Sequence, residues 1–72
     1  MERRLGFRMP AAGQPEVMVI GPGNRLLFRK LLAVRGPGPY SEEVPLPSLP
    51  LNTKMELVVK VGRQVVVKYE LR

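Results

Sequence analysis

Six glutamates, with no histidine and no cysteine, make up the main acid–base and metal-ligating inventory of these 72 residues. Without histidine there is no proton shuttle near neutral pH, and without cysteine there is no thiolate nucleophile, disulfide or soft metal site. Glu42 and Glu43 are sequence neighbours, so an extended chain points them to opposite sides. Glu56 and Glu70 fall on the outer face of a predicted hairpin, each beside lysine. Neither arrangement builds a paired-acid site or a calcium cage. Ser41 and Ser48 have no base within any recognisable motif. Gly21-Pro22-Gly23-Asn24 reads as a hairpin turn and not a phosphate loop, because Pro22 deletes an amide and no Gly-Lys-Ser/Thr follows. These residues predict no enzyme, no cofactor, no metal and no small-molecule substrate.

The remaining chemistry is positive charge. Twelve Lys+Arg against six carboxylates give +6 and a pI near 10.6, a balance suited to a polyanion, an anionic surface or an acidic protein face. Residues 1–35 carry seven of the cations, Arg3, Arg4, Arg8, Arg25, Arg29, Lys30 and Arg35, against Glu2 and Glu16 alone. Those seven are the candidate phosphate contacts. The competing reading is an arginine-rich composition set by genome or growth temperature. Single-strand binders add exposed aromatics, and of Phe7, Phe28, Tyr40 and Tyr69 two are in phase with apolar neighbours, which leaves too few for a stacking surface. Backbone-only nucleic-acid binding is therefore the alternative function.

The elements that must carry these residues read as strands and turns. Leu5, Phe7 and Met9 alternate with Gly6 and Arg8, and Pro10, Gly13 and Pro15 follow, which predicts a basic N-terminal arm over residues 1–15 and a single small domain over 16–72. Val17 to Ile20 is a strand that ends at the Gly21–Asn24 turn. Residues 25–35 fit two periods imperfectly. At helical spacing Arg35 lands among the leucines, whereas at period two Leu26, Phe28, Leu32 and Val34 share a face broken by Lys30. The surrounding turns favour a strand, with a single helix at 25–35 as the alternative. Gly36-Pro37-Gly38-Pro39 ends that element, and prolines at 45, 47 and 50 confine the next one to an edge strand or an extended crossover whose Leu46 and Leu49 lie on the core or dock.

The last segment shows the cleanest alternation. Met55, Leu57, Val59 and Val61 form one face, and Val65, Val67, Tyr69 and Leu71 another, joined around Gly62-Arg63. A strict two-residue loop would mix apolar and charged faces, so the turn must hold an odd number of residues or contain a bulge. Pairing Leu57 with Val67 sets Glu56 opposite Lys68 and is preferred to pairing it with Tyr69, which sets Glu56 opposite Glu70.

The longest uninterrupted apolar runs, Val17–Ile20 and Leu31–Val34, are four residues each, so no membrane span is predicted. The N-terminal stretch lacks the apolar run of a secretory signal, which leaves the cytoplasm or an assembled particle as the setting. Folding removes roughly 7,000 Å² from water, worth on the order of 110 kcal/mol, and ordering the chain costs about the same. With no disulfide to help, a partner protein or self-assembly is expected, with Leu5, Phe7, Met9, Leu46 and Leu49 as the docking residues.

From Glu16 to Arg72 the succession resembles the small immunoglobulin-like modules that end many secreted bacterial proteins as sorting or anchoring domains and recur in flagellar hook-capping proteins. The likeness rests on the valine strand, Gly23-Asn24, the long basic strand, Gly38-Pro39-Tyr40, Leu49-Pro50 and the closing hairpin from Glu56 to Leu71. It implies a small antiparallel β-sandwich or half-open barrel that works by docking. The sequence thus predicts a mostly β, non-catalytic structural or interaction subunit of a larger assembly.

Overall fold

A computed structural model of the chain describes residues 2–46 and 53–71. Six strands follow in order: β1 (Glu2–Met9), β2 (Pro15–Gly21), β3 (Arg25–Leu31), β4 (Gly38–Pro45), β5 (Met55–Val61) and β6 (Gln64–Leu71). All ladders are antiparallel. One sheet has the order β3-β2-β5-β6, and a second pairs β1 with β4. Their facing sides enclose one core of Leu5, Phe7, Met9, Val17, Val19, Leu32, Val44, Leu57 and Val59. The expected small antiparallel sandwich or half-open barrel is the observed architecture.

The apolar-toothed part of the expected basic arm is β1. Its alternation is genuine, but Leu5, Phe7 and Met9 are only 2%, 7% and 1% exposed, so the docking surface they form is the inside of their own domain. Phe7 stacks on Tyr40 of β4 with ring centroids 6.0 Å apart. Leu46 is half-buried against the same core. Leu49, with most of the proline-rich crossover, lies outside the described residues. The chain returns to β2 through Gly13, which bonds Arg35 in both directions (2.9 and 2.8 Å). A Cβ at Gly13 would lie 2.6 Å from Val61 Cγ1, so only glycine allows that approach.

Residues 25–31 are a strand, and the helical alternative is not adopted. Gly23 and Asn24 take positive φ (68° and 60°) and turn the chain back on β2. The untidy period has two causes. Leu27 is an extra residue at a bulge, since Val19 pairs with Phe28 and Ile20 with Leu26. Lys30, in phase with Phe28, reaches across to Glu42 of the other sheet (3.5 Å).

The closing hairpin corrects the preferred register. Leu57 pairs with Tyr69 and Glu56 with Glu70, not Leu57 with Val67. The turn does hold two residues, Gly62 with φ 60° and Arg63, as a type II′ hairpin requires. A bulge at Val66 then restores the matched faces, one of the two solutions the sequence allowed. The like-charge rule yields here because Lys68 reaches Glu56 diagonally at 2.7 Å, while Tyr69, facing inward, donates its hydroxyl to the Gly6 carbonyl of β1 at 3.0 Å.

Candidate interaction surface

Alternation sets the outer face of the four-stranded sheet as the residues between the core positions. Reading across β3, β2, β5 and β6, the registers give three rows: Leu26, Ile20, Glu56, Glu70; then Arg29, Met18, Val58, Lys68; then Leu31, Glu16, Lys60, Val65. Apolar side chains therefore run diagonally from Leu26 through half-buried Ile20 and Met18 and buried Val58 to Val65, with Leu31 at a third corner. Leu26, Leu31 and Val65 are each more than half exposed (53%, 54% and 52%). Three cations and three carboxylates flank this diagonal, so this face is neutral on a chain of net charge +6. Arg29 donates to Glu16 at 2.6 Å and Lys68 to Glu56 at 2.7 Å. Hydrogen bonding and attraction from Glu56 hold the Lys68 ammonium above the ordinary lysine value.

The bulges make this surface. With strict alternation Leu26 would point inward with Phe28, and Val65 inward with Val67. The extra residues Leu27 and Val66 turn toward the core instead and send Leu26 and Val65 to the outer face. Sequence reasoning placed Leu26 and Val65 in the core for that reason. Leu31 carried a readable signal, being in phase with Arg29.

The strand edges differ. β4 carries Pro39 and Pro45, and β6 is held beside β1 by the Tyr69–Gly6 bond. β3 has no proline and, among the described residues, no ladder partner beyond β2. Leu32 donates its backbone N–H to the Pro15 carbonyl, so by alternation Lys30 and Phe28 also face β2, and Arg29 and Leu31 direct N–H and C=O to the free edge.

The seven candidate phosphate contacts are not brought together. Arg4 and Arg8 lie on the outer side of the β1–β4 ribbon and Arg3 on the other side, opposite Val44. Arg25 begins β3, Arg29 lies on the outer face of its sheet and Lys30 on the inner. Arg35 is wedged between the sheets, 4.9 Å from the Tyr40 ring centroid and 5.9 Å from that of Phe7. Four of the seven pair with carboxylates: Arg4 with Glu43, Arg29 with Glu16, and Lys30 and Arg35 with Glu42.

Two recesses accompany these surfaces. One, about 550 Å³, is lined by Ile20, the Gly21–Asn24 turn, Thr53, Lys54, Glu56 and Glu70. A smaller one of about 220 Å³ follows the β1–β6 seam. Among the described residues no group of three metal-ligating side chains converges, and no helix is long and apolar enough to cross a membrane. Comparison with protein-family models, curated proteins and solved structures finds no match.

Proposed function

We propose that this chain is a non-catalytic interaction module that docks a protein partner through the free edge of β3 and the outer sheet face beside it. The observation that carries this reading is the pair Leu26 and Leu31, each more than half exposed on a strand whose outward amides have no ladder partner among the described residues. A bulge that exposes a leucine while half-burying its neighbour re-aims a side chain at a cost, and bulges of this kind cluster where surfaces are used. The immunoglobulin-like likeness implies docking as well. Membership of a larger assembly fits a small domain with no disulfide.

Nucleic acid is the weaker reading, because the cations are spread over separate surfaces and four are already paired. The test is a photo-cross-linking side chain at position 31 in the native cell, with position 8 as the control. The expected product is one defined polypeptide at position 31, lost when Leu26→Ser is added. Cross-links to RNA or DNA at position 8, with binding in vitro that falls steeply with salt and drops on replacing Arg25, Arg29 and Lys30 by serine, would contradict the proposal.

A further inference from the structure

Resting on that reading, we infer what kind of partner segment the β3 edge takes: an extended strand of another protein whose side chains on one face run apolar, acidic, apolar. The backbone argument comes first. Arg29 and Leu31 offer outward N–H and C=O groups, and their side chains stand on the outer face together with Leu26. A strand added antiparallel or parallel at this edge completes those bonds and extends the rows Leu26, Arg29, Leu31 by one column, so each incoming side chain lies beside one of the three.

Charge then selects the occupant. Arg25, Arg29 and Lys30 give the strand three cations over seven residues, two of them tied to carboxylates of this chain and Arg25 in no ion pair among the described residues. A second copy pairing β3 with β3 would place three more against them, and basic edge residues of this kind discourage self-pairing. The apolar neighbours Leu26 and Leu31 ask for apolar side chains, and Arg29 between them, bonded to Glu16 through Nε and Nη2, keeps Nη1 for a second carboxylate. The other strand edges do not compete, since prolines interrupt β4 and the Tyr69–Gly6 bond occupies the β6–β1 seam. The chain itself supplies no such strand among its described residues, because Glu42 and Glu43 sit on β4, already paired with β1.

The probe is the end-blocked peptide Thr-Val-Thr-Glu-Thr-Val-Thr, titrated into the full chain and followed by amide NMR, with a lysine replacing glutamate in the control peptide. The expected result is saturable shifts and slowed exchange at the Arg29 and Leu31 amides, with the lysine peptide bound at least fivefold more weakly. Leu31→Pro removes an outward donor without touching the β2 ladder and abolishes binding. Should that variant lose its folded spectrum, Arg29→Gln carries the test, lowering affinity for the glutamate peptide about fivefold. Equal affinity for both peptides, shifts that leave the β3 amides unchanged, or no binding at millimolar peptide overturns the inference. If the peptide fails while cross-linking at position 31 still yields a polypeptide, the partner class is wrong and the docking reading stands. If cross-linking also yields none, both fall.

Discussion

Arg35 and Glu42 close the open side of the half-barrel, and they show what a few residues do when a core is small. Both side chains are 20% exposed and 3.2 Å apart, Lys30 adds a second cation, and the Tyr40 ring lies under the guanidinium. Arg35→Ala removes the ion pair and the ring contact and is expected to cost about 1–2 kcal/mol. In a domain this size that lowers Tm by roughly 5–15 °C, measurable by thermal circular dichroism. Arg35→Lys keeps the charge and falls between the two. A second residue-scale prediction concerns Lys68. Its pKa is raised by Glu56, so its contribution to stability is fully present below the ordinary lysine value of 10.5 and is lost only as pH rises through the higher folded value. Glu56→Gln is expected to bring the Lys68 titration, followed by side-chain NMR, down toward 10.5 and to remove that alkaline dependence.

At the scale of elements, the two bulges decide which surface each strand shows. Because Val66 is the extra residue, deleting one of the three consecutive valines at 65–67 leaves a strict two-residue hairpin with every other pair intact. That deletion is expected to retain the β spectrum at a loss of about 1 kcal/mol. Deleting one of Val58 and Val59 flips the rest of β5 and is expected to unfold the chain. If both deletions behave alike in chemical denaturation, the register is wrong. The same bulges mark the limit of what could be read in advance. The alternation at 55–61, the Gly21–Asn24 turn and the edge character that prolines force on β4 are local properties, and all were legible. The faces of Leu26 and Val65 were not, because a bulge forms where the core has room for an extra side chain, and that room is made by distant strands. The alternation of Leu5, Phe7 and Met9 was equally visible, but that β4 pairs with it depends on residues some thirty positions away. Of the candidate site, Leu31 beside Arg29 and the outer hairpin residues Glu56 and Glu70 showed their phase.

On the scale of the whole molecule, five of the twelve cations, Arg4, Arg29, Lys30, Arg35 and Lys68, are tied to carboxylates, and the outer sheet face is neutral. On the proposed reading, docking falls to the β3 edge and the sheet face beside it. Cleaving β1 from the chain is expected to unfold it, since three of the core side chains go with it. Residue-resolved amide hydrogen exchange on the isolated full chain tests this account most directly. It predicts slow exchange for the β1 amides bonded to β4 and for Phe28 and Lys30, and fast exchange for Arg29 and Leu31 at the free edge. Fast exchange throughout β1, as for a loose arm, or protection of Arg29 and Leu31 in the isolated monomer would contradict it.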